Sequence, residues 1–347
     1  MIFDPILDLF RGKAVTIPPL DGAFRPNNAL DEADLSLQVT APDNLTVHGS
    51  RLFFTSGGDL LELVQGEATA QVRGSYDCDI SALASSPGGH LAVALDDGRL
   101  FVDQREIKLP PSVKCLTAMS FADATTLLLC NGSATHRPGD WAVDLMTRQA
   151  SGSVWRFDLA TNNAALLAGN LAFPNGVFAT DGGVIVAESW KHRLICLTDG
   201  KVLPLLEKLP GYPARLTPAL GGGAWLSLFA PRNRLVEFVL QEEAYRRDMI
   251  ASVPRPYWIA PSLTSGASFL EPLQCGGIKT MGIHKPWSPS RSYGLVARLD
   301  TDLRPVASYH SRANGARHGV TSVAEYGGYV WVGAKGGNAL LSLSQKG

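Results

Sequence analysis

The feature that most constrains this chain is a single pattern written six times, with a period of roughly forty to fifty residues. Each copy runs from a short apolar stretch through a turn, a strongly apolar stretch and a polar or Gly-rich break into a third apolar stretch. Four copies are compact: NLTVHGSRLFFTSGGDLLEL (44–63), SALASSPGGHLAVALDDGRLFV (81–102), NGVFATDGGVIVAESWKHRLICL (175–197) and TSVAEYGGYVWVGAKGGNALLSL (321–343). The other two, spanning 117–159 and 214–300, carry long interruptions. Short strands separated by Gly, Asp and Asn turns at this period predict an all-β, six-bladed β-propeller. The segment ADLSLQV (33–39) alternates ahead of the first copy, while the last copy ends at its third strand. The N-terminal strand is therefore expected to close the last blade and remove its free edge.

Blade geometry converts positions into places. The fourth-to-first and second-to-third connections share one face, here called upper. Starts of first strands gather at the upper mouth of the channel: Asp43 and Asn44, Asp79, Thr117, Asn175, Ala214 and Arg215, His318 and Thr321. Ends of second strands reach the same face: Ser56, Asp96, Asn131, Glu188, Phe229 and Lys335. Both long interruptions, 133–151 and about 230–293, fall between second and third strands. They are expected to be lids over the upper face, the second with a helix at QEEAYRRDMIA, because insertions on a rigid repeat usually build the binding side.

Composition narrows the function classes. The 347 residues, with no linker between copies, are expected to form one domain, 1–347. Basic and acidic residues nearly cancel, 31 against 32, without a basic stripe, so nucleic acid is not the expected partner. No apolar run is long enough to cross a bilayer, and MIFDPILDLFRGK lacks a basic leader. The expectation is a cytoplasmic protein that binds neither membrane nor nucleic acid. Five cysteines lie far apart without metal-ligand spacing, which reads as free thiols in a reducing compartment.

The run DWAVDL…SGSVWRFDLATNNAALLAGNLAFPNGVFATDGGVIVAESWKHRLICL, followed by LEKLPGYPARL, PRNRLVEFV and TSVAEYGGYVWVGA, resembles the strictosidine synthase-like family, related to the gluconolactonase and paraoxonase six-bladed propellers. For the hydrolytic members, the resemblance implies a calcium ion at the channel mouth, with Asp43, Asn131 and Asn175 as the matching ligands. Oxygen ligands suit such a hard cation, which would polarise a carbonyl. The chain departs from that pattern at Ala214 and Arg215, where Asp-Asn is usual. Losing a carboxylate and adding a guanidinium weakens cation binding twice over. By the same resemblance the glutamate used in amine–aldehyde condensation falls at Thr321, so strictosidine-type condensation is disfavoured, and Glu325 reads as structural.

Read from the residues, SYHSRANGARHG (308–319) leads into the last blade, and His318, next to the channel, is the candidate general base. His310 and Arg317 are expected to be structural. Arg215 is the candidate for holding an anionic group of the substrate and Asp43 a further substrate contact, and the two are expected to pair with each other. Tyr212 and Trp141 are candidate pocket walls, and Thr321 a candidate contact. Glu188 is a candidate substrate contact or an internal ion pair with His192 or Arg193. No nucleophile elbow surrounds Ser133 or Ser189. The expected activity is hydrolysis of a lactone or related ester, with Asn131, Asn175 and Asp43 around the carbonyl and His318 as base. The alternatives are a lyase or isomerase using Arg215 in place of a metal, and a propeller that binds a small molecule without catalysis.

Overall fold

The computed structural model describes residues 16–64, 69–268, 270–272, 279–280, 283–284 and 291–344. Within them stand six four-stranded antiparallel sheets, the six blades of a propeller. Blade 1 comprises Pro42–His48, Arg51–Ser56, Asp59–Leu63 and Ala70–Ser75. Blades 2, 3 and 4 begin with innermost strands Ile80–Ser85, Leu116–Phe121 and Pro174–Thr180. Blade 5 opens with Gly211–Pro218, and blade 6 with Val320–Tyr326. The strand Leu35–Gln38 pairs antiparallel with Ala339–Ser344, Leu35 opposite Ser342 and Leu37 opposite Leu340. The expected closure by 33–39 is thus observed, trimmed to four residues.

Alternation along the strands builds the interior. One apolar cluster lies between each pair of neighbouring blades, for example Leu45, Leu52, Phe54, Trp331 and Leu340 between blades 1 and 6. Another, Ala118, Leu128, Cys130, Val154, Val177, Val186 and Ile195, joins blades 3 and 4. Truncating a fully buried leucine such as Leu340 would cost about 2–5 kcal/mol, because the rigid sheets around it can only partly collapse.

The two lids follow from the interrupted copies. The first contains helix α1, Trp141–Thr147; the second contains α2, Arg234–Val239, and α3, Glu243–Ser252, which matches the expected helix. Both connect a second strand to a third and stand on the same face. They pack on each other through Met146 of α1 and Val236, Val239, Met249 and Trp258 of the second lid. Polar bonds tie them further: Arg148 donates to the Leu240 carbonyl at 3.2 Å, Arg246 donates to the Met146 carbonyl, and Arg255 pairs with Asp140 at 2.6 Å. Much of 269–290, and Cys275 with it, lies outside the described residues.

Candidate functional site

Every innermost strand breaks register close to its start. The breaks fall between Asp43 and Thr46, Ile80 and Ala82, Leu116 and Ala118, Pro174 and Gly176, Pro213 and Leu216, and Val320 and Ser322. A bulge leaves its extra residue outside the ladder and re-aims the side chain. The residues so released include Ser81, Thr117, Asn175, Arg215 and Thr321, and all five line one cavity of about 270 Å³ at the upper mouth. Side chains of neighbouring strands take up bulge carbonyls: Thr117 Oγ1 donates to Pro174 O at 2.5 Å, Ser189 Oγ to Pro213 O at 2.5 Å, and Ser227 Oγ to Thr321 O at 2.8 Å. The mouth is therefore a stiff ring.

Charge is arranged around Asp43, which is 4% exposed. Its Oδ1 meets Arg215 Nη1 at 3.0 Å, and its Oδ2 accepts from Lys335 Nζ at 2.9 Å. Burial alone would raise its pKa, but the Arg215 and Lys335 charges outweigh it and hold the carboxyl at about 2. The expected Arg215–Asp43 pair is present in the structure. Arg215 also donates from Nη2 to Ser81 O at 2.7 Å, reaching from blade 5 across to blade 2. It lines both the upper cavity and a second cavity lower in the channel, so it forms a partition between them. Two cations face one carboxylate here. Lys335 is about a third exposed, and its ammonium, paired with a carboxylate already shared with Arg215, keeps bonding capacity to offer.

The part of the mouth next to Asp43, and across from the blade of Arg215, belongs to blade 2. Asp79 and Asp96 line the cavity there, and Asp96 Oδ1 accepts the Gly139 N–H of the first lid at 2.6 Å. Burial raises the Asp96 pKa, the Gly139 N–H offsets part of this, and the neighbouring Asp140 and Asp79 charges raise it further. Above lie Trp141, Phe173, Phe229 and Leu263. Trp141 meets Phe229 edge-on, ring centres 5.2 Å apart, as their quadrupoles favour.

Several residues singled out from the sequence are placed elsewhere. Asn131 is 1% exposed: its Oδ1 accepts from the Lys114 and Cys115 N–H groups at 3.0 and 2.8 Å, and its Nδ2 donates to Ser112 O and Ser153 Oγ. It clamps the approach to blade 3 and does not line the cavity. Glu188, fully buried, pairs with Arg193 at 2.6 Å and Lys191 at 3.0 Å and accepts the Ala172 N–H. Its ion pair is internal, whereas His192 pairs with Glu237. Tyr212 is also fully buried, a layer behind Phe229, with its hydroxyl on Glu237 at 3.2 Å.

His318 is 4% exposed and sits behind the rim. Its Nε2 donates to Arg312 O at 2.8 Å, which leaves Nδ1 to accept from Ser292 Oγ at 2.8 Å. Both nitrogens are engaged and burial lowers its pKa, so the residue is not presented as a base at the mouth. His310 is structural as expected, bonded to Tyr293 and Ser308. Glu325 accepts from Leu220 N and Trp225 Nε1 at 2.7 and 2.6 Å, likewise structural. Asn175, Trp141, Thr321, Arg215 and Asp43 do share the cavity. The residues that joined them unannounced as site candidates are Lys335, Asp96, Asp79, Phe173, Phe229 and Leu263; strand position had already put the first three and Phe229 at the mouth.

The calcium cage implied by the resemblance does not fit this arrangement. Both Asp43 oxygens face cations, both Asn131 groups are spent on neighbouring chain, and Asn175 alone remains of the three.

Comparison with known proteins shows what the chain is similar to. A strictosidine synthase family model matches residues 118–196. Adipocyte plasma membrane-associated protein of Bos taurus is 26% identical over 305 residues, covering 74% of each chain. The Homo sapiens counterpart is 26% identical over 245 residues, 61% of this chain and 59% of its own length, so the chain spans about three fifths of that relative. Among solved structures, a gluconolactonase from Xanthomonas campestris superposes with TM-score 0.55 at 13% identity, covering 89% of this chain and 87% of its own. The calcium-binding protein regucalcin from Agrobacterium tumefaciens gives 0.52 at 14%, covering 85% and 82%. Among the described residues no helix is long and apolar enough to cross a membrane. The order of its sheets makes this chain a six-bladed β-propeller, similar to strictosidine synthase over residues 118–196 and sharing its fold with a solved gluconolactonase.

Proposed function

We propose that the protein hydrolyses a lactone or related ester of a small organic molecule in the upper cavity, using its own side chains. The observation that carries this reading is the composition of that cavity: the Lys335 ammonium from blade 6, the Asn175 amide from blade 4, a carboxyl of raised pKa, Asp96, from blade 2, and an apolar lining of Trp141, Phe173, Phe229 and Leu263. Lys335 and Asn175 would donate to the carbonyl oxygen and stabilise the oxyanion as it forms. Asp96 would take a proton from the attacking water and return it to the leaving ring oxygen, giving a hydroxy acid. Its raised pKa brings it nearer working pH, which strengthens it as a base. Arg215, turned towards Asp43, Ser81 and Thr321, would hold the rim rigid and leave the electrophilic role to Lys335.

The test is turnover of γ- and δ-lactones and 4-nitrophenyl esters by the intact protein with EDTA present. Hydrolysis that persists in EDTA and is lost in Lys335→Met and Asp96→Asn supports the reading. No turnover of any ester, together with saturable binding of small carboxylates, would instead favour a propeller that binds without catalysis. We place the protein in the cytoplasm, with a small molecule as its partner, because Cys78, Cys115, Cys130 and Cys196 are all free thiols. Cell fractionation checks this against the plasma-membrane association named for its relatives.

A further inference from the structure

The second lid reaches down to the propeller at Leu263. Its backbone lies against Gly336 and Gly319, where added Cβ atoms would collide: one at Gly319 would stand 2.6 Å from Leu263 O, and one at Gly336 would meet the same carbonyl closer still. Gly319 moreover has φ +64, a conformation that glycine adopts freely. The pair forms a cradle without side chains, and the Leu263 side chain emerges from it beside Trp141 and Phe229 on the cavity wall. Gly336 directly follows Lys335, so this apolar wall stands next to that ammonium.

A hydrogen-bond chain fixes the same limb of the lid. The Ser265 hydroxyl bonds Ser292 Oγ, Ser292 bonds His318 Nδ1, and His318 Nε2 bonds Arg312 O. Ser262 N adds a bond to Arg291 O at 3.0 Å. His318 also precedes Gly319, whose carbonyl accepts the Lys335 N–H at 3.0 Å. One turn of backbone thus seats both Leu263 and Lys335.

We propose that Leu263 is the specificity-determining wall of the upper cavity, with His318 as its positioning residue, so that the bulk of residue 263 sets the size of acyl group accepted beside Lys335. The turnover arm of the test rests on the hydrolytic reading; the binding arm does not. Relative kcat/KM is measured on 4-nitrophenyl acetate, butyrate and octanoate, and calorimetric affinity on acetate, butyrate and octanoate ions. Leu263→Ala should move the octanoate-to-acetate ratio up by about 10–100-fold, and Leu263→Phe should move it down. Leu263→Val, a milder change, serves if the alanine variant fails to fold. His318→Leu should shift the ratio in the same direction as Leu263→Ala, while His318→Asn, which keeps an acceptor for Ser292, should restore it. If no ester is cleaved but the carboxylate affinities shift in this way, the wall stands and hydrolysis falls. If esters are cleaved and the folded variants keep the wild-type size ratio, hydrolysis stands and this proposal is overturned. An unshifted ratio in both arms overturns it as well.

Discussion

At the channel mouth Asp43 faces two cations, Arg215 at 3.0 Å and Lys335 at 2.9 Å, whereas in the neck leading to blade 6 the two histidines face only hydroxyls and carbonyls. The Ser308 hydroxyl donates to Ala23 O, so it accepts from His310 Nε2, and Tyr293 donates to Nδ1. His318 has the same tautomer. In the neck each buried imidazole is kept neutral, with both nitrogens satisfied by uncharged partners. The mouth brings Asp43, Asp79, Asp96, Arg215 and Lys335 to one cavity and leaves the Lys335 ammonium with bonding capacity beside it. Leftover bonding capacity, more than residue type, separates the reactive region from the structural one.

The largest test of this contrast is removal of the carboxylate. Asp43→Ala strands the Arg215 guanidinium in the partition of the channel, and breaking a buried pair in this way should cost about 3–5 kcal/mol in urea unfolding. Adding Arg215→Met should recover much of it; a single-variant loss below 1 kcal/mol, on the order of an exposed pair, would contradict the account.

Lys335→Met comes next. On the hydrolytic reading it should lower kcat/KM by roughly 10²–10³, as loss of an oxyanion donor does, with little change in stability since the side chain is about a third exposed. A variant with full activity would move the Lys335 ammonium out of the mechanism.

The neck is tested by pH. Burial, aided by the Arg312 charge, lowers His310 from 6.5 to about 4. A depressed pKa means that the unfolded chain takes up the proton first, so stability is full above pH 6.5 and declines as pH falls towards 4, by about 3 kcal/mol from this residue. His310→Gln should flatten the stability profile across that window. An unchanged slope would show that the imidazole is not held neutral. The smallest expected effect is that of calcium: at millimolar concentration it should leave Tm where it is, because Asp43 and Asn131 are already engaged. A rise in Tm that disappears in Asp43→Asn would break the comparison, since the mouth would then be a metal site.

Much of the mouth could be read before any coordinates, and the reason is local. A first strand that starts at the rim puts its opening residues there, so Asp43, Asn175, Arg215 and Thr321 followed from blade counting alone, as did Lys335 and Asp96 as strand ends. Asn131, Glu188, Tyr212 and His318 also stand at or near the rim by that count, yet their side chains turn into neighbouring chain. Only Glu188 had its partner, Arg193, legible within its own copy; the partners that claim Asn131 and His318 come from an approach loop and from a lid.

What the sequence by itself determined is the architecture. Period, alternation and turn residues specify six blades, the closing strand and two lids on one face, since these depend on interactions within a copy and between adjacent copies. The tertiary structure alone decided which polar groups remain available. Lys335 keeps donors to offer because Asp43 is shared with Arg215, and Leu263 reaches the cavity because Gly319 and Gly336, both far from it in sequence, leave room for its backbone. Satisfaction of a donor and the space beside a glycine are sums over everything nearby, and that sum exists only once distant segments have packed together.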